Sequence, residues 1–222
     1  MHEEIERNIR KSNPFPVMGK ALNNSNSLLM DFTAHNKKLL AIDLKDTDIF
    51  NKHVFDLLAE RNKEFGWGGY LENREIYKRS THFQQGEPRN FHLGIDVWAK
   101  AGSSVYCPMA AKVHSFADNN NFGDYGPTII LEHQIGNNVI YTLYGHLSRK
   151  SLNNLHEGQL IEKGDKFCEI GPYPENGDWP PHLHFQVMKD MLGNKGDFPG
   201  VCSASQLEKY KSICINPEVF IT

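Results

Sequence analysis

The chain has 222 residues, 39% of them hydrophobic and 23% charged. This composition suits a folded protein with one good core and an accessory segment, not a disordered chain. The formal net charge is only -3, and no basic block points to nucleic acid or another polyanion as a partner.

The opening MHEEIERNIRKSNPF has no apolar secretory core, and no later run is apolar and long enough to span a bilayer. The expectation is therefore a cytoplasmic protein, or an exported one if the N-terminus was trimmed. The sequence carries no signal for its oligomeric state. Cys107, Cys168, Cys202 and Cys214 form no CxxC pair, so ordinary reduced thiols are expected and a thiolate-bound zinc is not.

In chain order, residues 1 to 25 are polar with early helical character, followed by a loop at Asn13, Pro14 and Pro16. SLLMDFTA and KLLAIDL, joined by His35, Asn36 and Lys37, read as a β-hairpin. A helix is expected next, capped by Asp48, with Phe50, Val54, Leu57, Leu58 and Phe65 at helical spacing and Gly66, Gly68 and Gly69 ending it. This defines an accessory region over residues 1–75, hairpin plus helix, with packing or oligomerisation as its expected role. Residues 76–222 form the second unit. From Phe91 the chain turns into short β-rich runs: VYCP, AKVHSFAD, GPTIILEH, NVIYTLYGH, KFCEIG and HLHFQVM. Such runs predict an antiparallel β-sandwich or open barrel. The tail from Asp190 reads as a loop and short helix that close the domain.

Four polar residues carry the chemistry: His92 and Asp96 in FHLGID, and His182 and His184 in PPHLHF, with His146 in YGH between them. Two imidazoles and one carboxylate are a catalytic zinc set that leaves one position open. His182 and His184 are two apart in a strand-like run and project from one face. Spacing alone does not say which of them binds metal. His92 and Asp96 are four apart, about 13 Å in a straight strand. A bend is therefore required, and Gly94 lies where it is needed.

HLGID resembles the HxGxD motif, and HLH the HxH motif, of the lysostaphin-like zinc peptidases of family M23 (the LytM type). AGSSVYCPMAAKV, YGPTIILEH, YTLYGHLS and KGDKFCEIG resemble that family's other segments in the same order, from Phe91 to Met188. The resemblance implies a mainly β fold of the lysostaphin-like (duplicated hybrid motif) type, here with a small α+β N-terminal appendage. It makes His92, Asp96 and His184 ligands of Zn2+, and His146 and His182 the catalytic histidines. Two neutral imidazoles and one carboxylate leave the centre at +1, which keeps it a strong Lewis acid. No HExxH helix is present, so the glutamate-base design is excluded.

The implied activity is zinc-dependent endopeptidase or amidohydrolase cleavage of a peptide, of the kind found in peptidoglycan. The alternatives are a cytosolic hydrolase of a small amide and a non-catalytic regulatory module, although such modules lose the zinc residues that are all kept here. A lipoyl-type carrier lacks its Met-Lys turn. GDYGPTIILEH, PENGDWPPHLHFQ and GDFPGV also resemble the M23 domain fused to class III aminotransferases, which loosens the step from fold to wall hydrolysis.

The Pro-rich loop 171–181, with Trp179, departs from the family's shorter link and is expected to form a groove wall. Arg74 or Tyr77 could hold a substrate carboxylate, Tyr70 could lie over the groove, and Asn62, Asn73 or Asn90 could block the metal. Packing is the favoured reading for that segment. His114 and His133 are expected to have no chemistry, and His2, His35, His53, His82 and His156 to be surface or core residues.

Overall fold

The computed structural model describes residues 2–79, 83 and 86–222. His82 lies outside the described residues. Among the described residues there are thirteen strands: β1 Ser27–Leu29, β2 Phe65–Gly68, β3 Phe91–His92, β4 Ile95–Trp98, β5 Ser104–Tyr106, β6 Ala111–Asn119, β7 Gly126–Ile135, β8 Asn138–Gly145, β9 Leu160–Ile161, β10 Lys166–Glu169, β11 His182–Met188, β12 Val201–Cys202 and β13 Cys214–Ile215. The helices are α1 His2–Lys11, α2 Lys37–Leu40, α3 Thr47–Glu60 and α4 Leu207–Lys211.

The fold is mainly β. Its large sheet runs β1-β2-β4-β11-β8-β7-β6-β9, with β13 also pairing β11. Every pairing in it is antiparallel except β1 with β2. The runs read as strands from VYCP onward appear as β5, β6, β7, β8, β10 and β11.

Alternation along the strands divides the sheet into two faces. Ile95, Val97, Ile129, Leu131, Tyr144, Leu183, Phe185 and Val187 point into the main core, which α1 joins through Ile5 and Ile9. Leu143, Ile130 and Met188 pack on the other face against tail residues such as Met191, Phe198 and Tyr210. His182, His184 and Gln186 alternate with Leu183, Phe185 and Val187 and so belong to that second face. The same holds for Asp96 and Trp98 against Ile95 and Val97.

The N-terminal region differs from its expected form. There is no hairpin: β1 pairs in parallel with β2, far along the chain, while KLLAIDL holds α2, which Asn36 caps through Leu39 N. Leu39 is fully buried with Phe32, Phe50 and Val54, and burying this one leucine beside α3 outweighs the strand propensity of the run. The cap of α3 is Asp46, whose side chain accepts from Asp48 N and Ile49 N.

Phe65, Gly66 and Gly68 do not end a helix; they form β2, which pairs with β4. A Cβ on Gly66 would lie 2.2 Å from Met30 Sδ, and one on Gly68 2.6 Å from Met30 O. These glycines therefore mark close strand packing rather than termination. Among the described residues, no helix is long and apolar enough to cross a membrane. All four cysteines are buried and unpaired.

Candidate metal centre and active site

Register brings the site together. In the pairing of β11 with β4, His184 stands opposite Asp96 and His182 opposite Trp98. On its other side His184 faces Gly145 of β8, and His146 follows directly. One strand position thus has a carboxylate on its left and the exit of β8 on its right.

His92 arrives from outside this sheet. β3 pairs with β12, and the chain bends at Leu93 and Gly94 before entering β4. The bend expected at Gly94 is present, and the glycine has a further reason. A Cβ there would lie 2.7 Å from Phe185 O and 2.8 Å from His184 Nε2, so only a bare backbone fits beneath the His184 ring.

His92 Nε2 and His184 Nδ1 are 2.9 Å apart, and Asp96 Oδ1 is 3.2 Å from each. His92 is fully buried, and Asp96 and His184 are each 3% exposed. The far nitrogens are already committed. His92 Nδ1–H donates to Gly69 O at 3.0 Å and His184 Nε2–H to Gln186 Oε1 at 3.0 Å. The Gln186 amide is oriented in turn by donation to Pro199 O. The facing atoms, two imidazole nitrogens and a carboxylate oxygen, therefore all present lone pairs to one point.

A cation between its members would relieve such a cluster. A proton on His92 is disfavoured, because burial and then Arg74 pull its pKa down to about 3. Burial alone would raise the Asp96 pKa, but His92, Arg74 and His182 outweigh it and hold the group well below the usual carboxylate range. A tetrahedral zinc with bonds of about 2.0–2.2 Å separates its ligands by roughly 3.3 Å. The triangle His92, Asp96, His184 has edges close to that length, and these three form a group able to hold one metal ion.

His182 and His146 stand beside the triangle with ring centroids 4.2 Å apart. Each is fixed through Nδ1–H, His182 donating to Pro180 O and His146 to Asn176 O, both at 2.8 Å. Each is therefore left with an Nε2 lone pair, and His182 Nε2 lies 3.8 Å from Asp96 Oδ1. His182 is also stacked on Trp98 at 4.1 Å. Burial lowers the His182 pKa to about 4 and holds that of His146 well below the ordinary histidine value. Both are neutral bases at pH 7.

His146 has a φ of 61°, a left-handed conformation that costs a non-glycine residue about 1 kcal/mol or more. Its amide donates to Tyr125 O and its carbonyl accepts from Gly171 N, which holds the turn that carries the imidazole out of β8.

A cavity of about 190 Å³ opens on the site, lined among others by Tyr77, Tyr125, Trp179, Asp197 and Val201, together with Asp96 and the three histidines 146, 182 and 184. Trp179 makes the 171–181 loop a wall, as expected. The carbonyls of Asn176 and Pro180, which orient both bases, were not foreseen. Trp179 is backed by Arg79, whose guanidinium lies 4.6 Å over its ring.

Tyr77 lines the cavity, but Arg74 is fully buried beneath it and bonded to Asp96 rather than open to substrate. Tyr70 does not cover the groove; its hydroxyl donates to Cys214 O. Asn73 is bridged to Phe91, and the lining of the cavity over the triangle includes neither Asn62, Asn73 nor Asn90. Tyr125 (hydroxyl 3.4 Å from His184 Nε2) and Gln186 were missed; Gln186 continues the two-residue alternation of His182 and His184, a signal that could have found it, whereas Tyr125 falls in no such pattern. His133 is a structural residue, hydrogen-bonded to Thr142 Oγ1 at 2.7 Å, and His114 pairs with Ser115 Oγ.

One sheet face thus gathers three residues able to hold a metal ion, two further imidazoles and a small cavity. Residues 90–197 match the model of peptidase family M23, the family whose motifs the sequence resembles. No curated protein sequence matches the chain.

Among solved structures, a zinc-containing peptidase from Vibrio cholerae is 29% identical over 44% of this chain and 27% of its own, with a TM-score of 0.34. The catalytic domain of the antimicrobial peptidase lysostaphin from Staphylococcus simulans is 24% identical over 55% of this chain and 80% of that domain, with a TM-score of 0.38. The prophage-encoded M23 protein EnpA from Enterococcus faecalis, as a catalytic-domain mutant, is 19% identical over 59% and 85%, with a TM-score of 0.42. The chain thus spans about a quarter of the Vibrio peptidase.

Proposed function

We propose that the protein is a zinc-dependent peptidase or amidohydrolase, with His92, Asp96 and His184 as metal ligands and His182 and His146 as its acid–base pair. The observation that carries this reading is the convergence of three lone pairs, 2.9–3.2 Å apart, beside two imidazoles whose free Nε2 atoms are neutral at pH 7. A zinc ion held there supplies a Lewis acid that activates water and polarises an amide carbonyl.

The chain's own residues do the rest. His182 or His146 accepts the proton from the attacking water at Nε2 and returns it to the leaving amine. The Asn176 and Pro180 carbonyls keep both Nδ1–H groups turned away from the substrate. Trp179, Tyr77 and Tyr125 restrict water around the reacting carbonyl.

The substrate proposed from the family is a peptide of the peptidoglycan type, whole or as a fragment. A second reading, a small amide or a peptide terminus, is favoured by the cavity. At about 190 Å³ it lies below the roughly 300–1,000 Å³ of drug-sized ligand sites. Incubation with cross-linked muropeptides, pentaglycine and N-acyl amines, read by mass spectrometry, distinguishes the two. Cleavage of any one by the wild type, and of none by His182→Ala, is expected. Equal products from both proteins would defeat the hydrolase reading.

A further inference from the structure

Arg74 has side-chain contacts that the sequence did not announce. It is 0% exposed and lies 22 residues before Asp96, in the segment between β2 and β3. Nη1 donates to Asp96 Oδ2, the carboxylate oxygen turned away from the metal triangle. Nε donates to Glu72 Oε2 at 2.6 Å and Nη2 to Gly68 O at 2.7 Å. The backbone is fixed too, with Arg74 N donating to Asn90 O, and the guanidinium packs 5.4 Å over the Phe32 ring. Asp96, Tyr77 and Glu72 together outweigh burial and keep Arg74 charged.

We infer that Arg74 is a positioning residue for the metal site: it engages Asp96 Oδ2 so that Oδ1 alone is presented to His92 and His184. A carboxylate on a single Cα–Cβ–Cγ stem is free to rotate and to chelate a cation with both oxygens. Here the outer oxygen is occupied by a planar donor that is itself anchored at Glu72 and Gly68. The fork also withdraws electron density from the carboxylate, which leaves a bound cation more electrophilic. A lysine ammonium, a point charge on a flexible stem, cannot reproduce three divergent bonds. Outer partners of metal ligands are worth 10–100-fold in metal affinity. The N-terminal region thereby becomes part of the metal centre rather than only a packing appendage.

This inference rests on the metal reading of the triangle, and its test needs no substrate. Zinc affinity is measured by chelator competition on the full chain, alongside the visible spectrum of the cobalt(II) form and a thermal melt. Arg74→Lys and Arg74→Gln are expected to bind zinc about 10–100-fold more weakly and to alter the cobalt bands. Glu72→Gln, which keeps Arg74 but removes one anchor, is expected to shift both in the same direction by less. Variants that melt lower yet bind zinc with wild-type affinity and show unchanged cobalt bands overturn the inference. A wild-type chain that binds neither ion defeats the metal reading itself.

Discussion

Gly94 offers a severe steric test of the site. Its φ lies outside the left-handed region, so alanine is acceptable to the backbone and the consequence of Gly94→Ala is purely one of space. The new Cβ would lie 2.7 Å from Phe185 O and 2.8 Å from His184 Nε2, about 0.6–0.7 Å short of the 3.4 Å at which ordinary contact begins. Phe185 O cannot yield, because β11 is bonded on both sides, to β4 and to β8.

Two adjustments remain. The His184 ring moves, or the His92-to-Asp96 bend lifts. Each displaces a member of the triangle by more than the roughly 0.2 Å that metal–ligand distances tolerate. Overpacking of this kind costs about 1–3 kcal/mol. If that falls on the metal-bound state, zinc binds roughly 5- to 150-fold more weakly. Chelator competition reads the loss directly, and circular dichroism checks that the sheet persists. A Gly94→Ala protein with zinc affinity within about twofold of wild type would refute the reasoning.

Other consequences concern the bases and the core. Replacing His182 or His146 with alanine should lower kcat by about 10²–10⁴ while zinc content stays unchanged, as measured by turnover and metal analysis on the same sample. The rate should hold from pH 7 down to about 5 and fall as pH approaches the His182 value of about 4, because the reaction needs the neutral ring; an acid limb centred near pH 6.5 would contradict this. His133, outside the site, has a pKa lowered to about 4 by burial, against about 6.5 in an unfolded chain. Its contribution to stability is complete above pH 6.5 and is lost at about 1.4 kcal/mol per pH unit as pH falls toward 4. Urea midpoints at several pH values should show a shallower slope for His133→Gln, and an identical slope would reject the assignment.

How much of this was legible depended on the range of the interaction. β7 and β8 announce themselves because alternating side chains serve opposite sheet faces, and His182 and His184 share a face by the same rule. The proposed ligand and base histidines were named from the resemblance of their short segments to family M23, because spacing alone left the roles of His182 and His184 open. Long-range pairings left no such trace. Ser27–Leu29 finds a parallel partner in Phe65–Gly68, and nothing local distinguishes that from a hairpin with the run that follows. Gly66 and Gly68 looked like terminators because the close approach of Met30 is invisible in sequence. The bond from Arg74 to Asp96 joins residues 22 apart on separate elements, so no periodicity records it. The carbonyls of Asn176 and Pro180 belong to the backbone, where residue identity says nothing about direction.

The central claim is that His92, Asp96 and His184 hold one zinc while His182 does not. Elemental analysis of the full chain purified without chelators tests it most directly. One zinc per chain is expected in wild type and in His182→Ala, and none in His184→Ala. Zinc retained by His184→Ala, or lost from His182→Ala with the fold intact, would contradict it.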